Sequence, residues 1–308
     1  MVLAVLTAAL IATATSAQVT LVHDTFSNSD RIGGFDGSST TASEPSIGTA
    51  TATNTQWVAN RTSVLVASAG GMQWTLDTTS NAMLLGYFPT VSLALDTPTT
   101  FRLAFTTGNM GGTTNNLRIG LLNGTPNGFR ATDGFGSTDA SYTGDEGYGV
   151  WSASSTVGGG NTSNLVLRTY QRNTLGTNLL GTAGEWGNND GATQFGNSVG
   201  ATGYFEANTS YVLEMTLTFD GTALLFETSL TGGNFVGMNY AVSDDVDPTT
   251  EFNMIAFRLG GGSNQFDSIN FTEFSVSAIP EPSTYAALFG ALALGLVAFR
   301  RRQLAQRS

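Results

Sequence analysis

The sequence predicts an all-β fold, a sandwich of two antiparallel sheets, with a signal peptide before it and a single hydrophobic helix after it. Between the two ends, short runs rich in β-branched and aromatic residues alternate with clusters of Gly, Asn, Asp, Ser and Thr. No helix-length amphipathic pattern with capping residues occurs there. About a dozen runs with alternating apolar and polar residues favour two packed sheets over a small barrel.

The N-terminal end has the pattern of a secretory signal peptide. Residues 2–12 form an apolar run that is too short to span a membrane as a mature helix. Small residues at Thr15 and Ala17 suit the shallow pockets of a signal peptidase, so we expect residues 1–17 to be removed before Gln18. No Lys or Arg follows Met1 in this segment, so either the true translation start lies upstream or the charged n-region is unusually weak. The alternative interpretation of these residues is a buried N-terminal strand or helix.

The predicted β domain covers residues 18–278, and its candidate strands are bounded by turn-forming residues. Alternation is clearest over 211–219, where Tyr211, Leu213 and Met215 lie on one face and Glu214 lies on the other. The candidate strands are 56–60, 63–67, 82–88, 91–95, 100–106, 117–122, 147–152, 165–171, 211–219, 223–229, 254–259 and 267–276.

A hairpin is predicted directly after the strand at 211–219. Asp220-Gly221 is a preferred dipeptide for a two-residue loop, and an apolar run begins again at residue 222. This is the strongest local prediction in the chain.

The last candidate strand carries a resemblance to a known fold. Residues 266–276 combine an aspartate with apolar alternation and are similar to the closing strand of laminin-G-like and concanavalin A-like jelly rolls. The resemblance implies that the N- and C-terminal strands pair, with residues 23–26 as the opening strand. A right-handed parallel β-helix has a similar composition, but it would show a repeat of fixed period, and none is visible.

Charge and cysteine content exclude several classes of function. Residues 18–279 hold 8 Arg, no Lys and 22 Asp or Glu, a net charge of 8 − 22 = −14. Such a surface repels phosphate backbones and anionic lipid, so nucleic acid is not an expected partner. The chain has no Cys, which removes disulfides, thiolate metal sites and cysteine nucleophiles.

The C-terminal end has three parts in a fixed order. Pro280, Glu281 and Pro282 are followed by an apolar run over residues 286–299 and then by Arg300, Arg301 and Arg302. The prolines end the preceding strand, since they cannot donate to a ladder. The run at 285–299 would be about 22 Å long as a helix, short for a bilayer core of about 30 Å. The arginines should stay cytoplasmic and leave the domain outside.

These parts resemble the PEP-CTERM sorting domain of exported proteins in Gram-negative bacteria, here over residues 279–303. The resemblance implies recognition by an exosortase, cleavage near Pro-Glu-Pro and transient retention in the inner membrane. It also implies a role at the cell surface or in the matrix, in connection with extracellular polysaccharide and biofilm. The alternative is a plain tail anchor.

Candidate catalytic residues are few. His23 is the only histidine, and no Gly-x-Ser-x-Gly elbow accompanies it, which disfavours a serine triad. Glu214 is the best single acid for glycoside hydrolysis, but threonines occupy the next positions on its face. We therefore expect no catalytic residue and no enzyme activity.

Candidate binding residues are more numerous. Asp245 and Asp247 form a loop of alternating acids beside a proline, which suits Ca²⁺, although the simpler interpretation, a solvated acidic loop, is favoured. Trp186 lies in a polar Gly/Asn loop, where an indole would stack on a sugar ring. Trp57, Trp74 and Trp151 lie in strand-like runs and fit a core. No other cofactor is indicated.

Three functions remain open at this stage. The first is a non-catalytic surface or matrix protein that binds exopolysaccharide. The second is a glycoside hydrolase or lyase on a jelly-roll fold. The third is a purely structural coat component that assembles by itself.

Overall fold

A computed structural model gives the architecture of the chain. It describes residues 18–26, 55–60, 63–68, 71–76, 82–109, 117–124, 134–136, 142–154, 165–172, 177, 179–180, 194–198, 201–259, 267–279, 290 and 293–297. The predicted signal peptide, Trp186, Pro280, Glu281, Pro282, Arg300, Arg301 and Arg302 lie outside these residues.

The described residues form fifteen strands. In chain order these are β1 (Val19–Asp24), β2 (Gln56–Ala59), β3 (Ser63–Ser68), β4 (Gly71–Leu76), β5 (Ala82–Ser92), β6 (Thr99–Thr107), β7 (Leu117–Asn123), β8 (Glu146–Ser154), β9 (Leu165–Gln171), β10 (Gln194–Asn197), β11 (Ser210–Phe219), β12 (Leu224–Gly232), β13 (Asn239–Asp244), β14 (Glu251–Leu259) and β15 (Ser268–Ala278).

The strands are arranged in two antiparallel sheets. Sheet A has eight strands in the order β13-β12-β11-β6-β15-β4-β3, and β1 also pairs with β15. Sheet B has seven strands in the order β10-β9-β8-β7-β14-β5-β2. The strands pair antiparallel in both sheets. The predicted two-sheet sandwich is confirmed, and the parallel β-helix is wrong.

The core lies between the sheets and is rich in aromatic rings. Trp57 is fully buried near its centre, with ring centroids 5.6 Å from Phe26, 5.9 Å from Phe274 and 6.1 Å from Phe271. Its cross-strand partner on β5 is Gly86, where an added Cβ would lie 2.5 Å from the indole. The missing side chain therefore makes the space that the tryptophan fills.

The first strand is attached to this core by a buried carboxylate. Asp24 Oδ1 accepts a hydrogen bond from the Phe26 amide at 2.9 Å. Its Oδ2 accepts from Trp57 Nε1 at 3.2 Å and from the Thr55 hydroxyl. Because β1 also pairs with β15 from Val19↔Ala278 to Asp24↔Phe274, the expected pairing of the terminal strands is present.

The two sheets differ on their outer faces. A second apolar cluster covers the outside of sheet B and includes Leu85, Leu122 and Leu180. Arg118, on the same face, donates from Nη1 to the Leu180 carbonyl at 2.8 Å, and Arg258 donates to the Leu179 carbonyl at 3.2 Å. These hydrogen bonds hold Leu179 and Leu180 against the outer face of sheet B. On sheet A the outward side chains of β6, β11 and β12 are half-buried or exposed.

Several predicted strand boundaries needed correction. The candidates 82–88 and 91–95 are one strand up to Ser92, because Pro89 lies where the register shifts opposite 252–254 and so breaks no ladder hydrogen bond. β10 and β13 were not predicted, and the strand-like run around Trp74 is β4, which was not among the candidate strands. The hairpin after 211–219 is confirmed, but its two loop residues are Gly221 and Thr222, since the Asp220 amide bonds the Ala223 carbonyl at 3.1 Å.

Near the C-terminus, residues 293–297 are helical, and the side chains of Leu294, Leu296 and Val297 are exposed. Within the part of the chain that the structure describes, no helix reaches the length and hydropathy that a membrane span requires.

Candidate functional site

The outer face of sheet A presents polar side chains on five neighbouring strands. The inward positions of β11, Tyr211, Leu213, Met215 and Leu217, are buried. Its outward positions alternate with them and carry Glu214. Because side chains alternate along a strand, every second residue of β11 points into the core and the residues between them form a polar surface.

A groove of about 370 Å³ lies on this face, across β11, β12 and β13. Register places Glu214 opposite Ser229, and Ser229 opposite Asn239. One step along the strands, Thr216 lies opposite Glu227, and Glu227 lies opposite Ala241. The lining residues are Glu214, Thr216, Glu227, Thr228, Ser229, Asn239, Tyr240 and Ala241.

Hydrogen bonds and burial fix the inner side of the groove. Thr228 and Tyr240 lie at inward positions, and the Tyr240 hydroxyl hydrogen-bonds the Thr169 hydroxyl of sheet B. Burial raises the pKa of Tyr240 to about 12, so the phenol stays protonated at neutral pH. On the β11 side of the groove, Thr216 Oγ1 hydrogen-bonds Thr100 Oγ1 of β6 at 2.9 Å, which fixes the Thr216 side chain.

A chain of charged side chains leads away from the groove across four strands. Arg102 Nε lies 3.4 Å from Glu214 Oε1, and Arg102 Nη1 contacts Glu273 Oε2. On the far side, His23 Nε2 lies 3.9 Å from Glu273 Oε1. His23 and Glu214, which the sequence singled out separately, therefore lie on one face and are connected through Arg102 and Glu273.

This arrangement does not form a hydrolytic triad. His23 interacts with a glutamate, and its side chain is about half exposed on β1. Glu214 is outward and solvated, as expected from its position among threonines. Glu227 is its diagonal neighbour on β12, so two carboxylates line one groove with Cβ atoms about 7 Å apart.

The predicted calcium loop lies away from the groove, after β13. Asp244 is buried and accepts a 2.6 Å hydrogen bond from the Tyr148 hydroxyl, whereas Asp245 and Asp247 are exposed. Among the described residues, no group of three or more His, Cys, Asp or Glu side chains is arranged to hold a metal ion.

Acidic residues near that loop do influence one another. Burial raises the pKa of Glu146, at the start of β8, and the charges of Asp247 and Glu251 raise it further. The two neighbouring carboxylates therefore disfavour the ionised form of Glu146.

The tryptophans divide as the sequence suggested, as far as the structure describes them. Trp57 and Trp74 are fully buried in the core. The side chain of Trp151 and the whole of Trp186 lie outside the described residues.

Sequence reasoning missed most of the groove. Arg102, Glu227 and Ser229 were inside predicted strands, and the hairpin register would have placed Glu227 and Ser229 beside Glu214. Asn239 had no such signal, because the strand β13 was not among the predicted strands.

Comparison with known proteins adds one assignment and several distant likenesses. The carbohydrate recognition domain of Emp46p, in its metal-free form, is 13% identical and matches with a TM-score of 0.43, covering 72% of this chain and 87% of that one. A Lotus tetragonolobus seed lectin is 12% identical, with a TM-score of 0.40 and coverage of 73% and 94%. A legume lectin-like domain from Entamoeba histolytica is 11% identical, with a TM-score of 0.39 and coverage of 71% and 88%. No curated protein matches the chain.

The C-terminal segment matches a family model, the PEP-CTERM protein-sorting motif, over residues 278–302. The match agrees within one residue with the segment expected from the Pro-Glu-Pro, apolar run and arginine order. It indicates an exported protein. Residues 278–302 are thus a PEP-CTERM protein-sorting motif.

Proposed function

We propose that this chain is an exported, non-catalytic protein of the cell surface or extracellular matrix that binds polysaccharide through the groove of sheet A. The groove carries the proposal. Its carboxylate, hydroxyl and amide side chains, from Glu214, Thr216, Ser229 and Asn239, match the donors and acceptors of a row of sugar hydroxyls. Because the groove is open and crosses three strands, a long polymer can pass over it without a free end.

Targeting of the chain forms the second part of the proposal. Residues 1–17 are a signal peptide that a signal peptidase removes, residues 18–278 are the mature β domain, and residues 279–303 are the sorting signal. An exosortase cuts near Pro280, Glu281 and Pro282, while the cluster beginning at Arg300 holds the precursor in the inner membrane. The intact mass of the protein from the cell surface or medium tests this, and a product that retains residues 285–308 would contradict it.

The groove also supports a second candidate function, a glycoside hydrolase. Glu214 and Glu227 lie in the same groove, and paired acids on opposite sides of a sugar are the usual machinery of such enzymes. Turnover of a polysaccharide panel that disappears in Glu214→Gln would favour this function. If the folded protein hydrolyses none of these polysaccharides, the hydrolase is excluded for them and the binding function is favoured.

Two sequence predictions add possible contacts to the binding proposal. Trp186 is a predicted platform for stacking on a sugar ring, and if it contacts the glycan, Trp186→Ala should weaken glycan binding. Asp245 and Asp247 as Ca²⁺ ligands remain a prediction. If they bind the ion, millimolar Ca²⁺ should raise the melting temperature of the protein, and the double variant Asp245→Asn/Asp247→Asn should not respond.

The binding proposal is tested by isothermal titration of the exported protein with polysaccharides from the producing cells. Asn239→Ala removes an amide from the groove lining, and we expect about fivefold weaker binding, the effect of one hydrogen bond of about 1 kcal/mol. Ser243→Ala is the matched control, since Ser243 is exposed on the same strand but outside the groove lining. Equal binding by both variants would place the glycan elsewhere, and no binding by the unaltered protein would refute the function.

A further inference from the structure

The charges in the groove are unbalanced. Its lining contains two carboxylates, Glu214 and Glu227, and no arginine or histidine. Glu214 shares Arg102 with Glu273, so one guanidinium serves two acids. Within the described part of the chain, none of the ion pairs includes Glu227. The groove therefore offers an exposed carboxylate, Glu227, that forms no ion pair with any side chain the structure describes.

Space beside this carboxylate is available to a ligand. Across β13 the partner of Glu227 is Ala241, whose methyl group is too short to cover a glutamate side chain. Across β11 the partner is Thr216, whose hydroxyl can accept as well as donate. A donor placed between Glu227 and Thr216 would thus meet an anionic acceptor and a neutral one, within the span of a single sugar ring.

We infer that the groove selects polysaccharides that carry free amino groups, such as polymers of hexosamine units without N-acetyl groups, and that Glu227 binds the ammonium group. This inference rests on the proposed glycan-binding function and names its ligand class. An ammonium group donates charge-assisted hydrogen bonds to a carboxylate, whereas an acetamido group donates only a neutral one. A uronic acid unit would instead place a second negative charge beside Glu227.

The field of the whole domain favours the same class of ligand. Residues 18–279 carry 8 Arg against 22 acidic residues, a difference of −14. A domain of this charge raises the local concentration of a polycation and lowers that of a polyanion, more strongly at low ionic strength. Long-range attraction by the net charge would not depend on any single glutamate, whereas binding of the ammonium group by Glu227 would. A substitution of Glu227 alone therefore distinguishes the two.

The experiment compares three probes with the exported protein by isothermal titration at low and at physiological salt. The probes are a glucosamine oligomer, the N-acetylglucosamine oligomer of equal length and an oligogalacturonate. We expect the glucosamine oligomer to bind about tenfold more tightly than its acetylated counterpart, and the oligogalacturonate to bind least. The preference should disappear at alkaline pH, where the amine loses its charge.

Two variants locate the effect. Glu227→Gln keeps the shape of the side chain but removes its charge, and it should abolish the preference for the glucosamine oligomer over the acetylated one. Glu251→Gln removes the same charge from an exposed position on β14, outside the groove lining, and should keep the preference. A preference that survives in Glu227→Gln overturns the assignment of the ammonium site. Equal affinity for both oligomers overturns the ligand class and leaves the glycan-binding function intact, whereas failure of all glycans to bind overturns both.

Discussion

At the scale of single residues, Glu146 shows how local burial makes stability depend on pH. Burial and the nearby charges of Asp247 and Glu251 raise the pKa of its carboxyl above the ordinary value of 4.5. A raised pKa in the folded state means that folding favours the protonated form. The contribution of Glu146 to stability is therefore fully present below its unfolded pKa and is lost as the pH rises through its folded pKa.

Glu146→Gln should for this reason stabilise the protein at neutral pH. We expect a rise in melting temperature of about 1 °C at pH 7, small because the side chain is partly exposed and solvent screens its neighbours. Below about pH 3 the glutamate is protonated in both states, and the two proteins should melt together. Thermal unfolding of both proteins across this pH range measures the difference, and a gain that is constant with pH would contradict the electrostatic explanation.

At the scale of elements, strands and hairpins were predicted well where one face is apolar. β11 was found with bounds within one residue of those observed, because its alternation runs over nine positions. β13 was missed because its alternation is short: its inward residues are Tyr240, Val242 and then Asp244, whose buried carboxylate accepts a hydrogen bond from Tyr148 across the sandwich. β10 is short and polar in sequence, and its pairing with β9 comes from tertiary context.

The contact between β2 and β5 gives a prediction at this scale. Gly86 lies opposite Trp57, and a Cβ there would meet the rigid indole at 2.5 Å to 2.7 Å. Gly86→Ala should reduce the free energy of unfolding by about 2–3 kcal/mol, because an overpacked core must shift backbone or side chains. Gly120→Ala is the matched control: its Cβ would lie 2.8 Å from the end of Leu180, a flexible side chain that can turn aside.

Urea denaturation of both variants measures the difference in unfolding free energy. We expect Gly120→Ala to lose less than half as much as Gly86→Ala. Equal losses would mean that Trp57 yields as easily as Leu180, and would contradict a tightly packed aromatic core.

At the scale of the whole molecule, the sandwich and the sorting motif followed from the sequence, whereas the groove did not. A sorting motif is local, so consecutive residues carry all of its information. The groove joins three strands, and the charged chain beside it joins His23 on β1 to Glu214 on β11 through β15 and β6. These residues are up to about 250 positions apart, and only the strand order, which alternation does not encode, brings them to one face.

The same strand order brings the two ends of the domain together. β1 begins at Val19, directly after the expected signal-peptidase site, and β15 ends at Ala278, directly before Pro280. Val19 and Ala278 are cross-strand partners, and the Ile279 amide donates to the Pro98 carbonyl at 3.1 Å. The expected signal peptide and the sorting motif are therefore attached to the sandwich at paired positions of neighbouring strands.

This geometry predicts a disulfide in the double variant Val19→Cys/Ala278→Cys. Facing residues of antiparallel strands have Cα atoms about 4.5–5.5 Å apart, within the range of a disulfide, and the chain has no other cysteine to compete. The exported variant should oxidise without a catalyst, and the bridge should stabilise it by about 2–4 kcal/mol, because it closes a loop of nearly the whole domain. Non-reducing electrophoresis and urea denaturation with and without reductant measure both effects. His23→Cys/Ala278→Cys is the mismatched control, four residues out of register, and should stay reduced; a bridge in that variant, or none in the matched one, would contradict the pairing of the two ends.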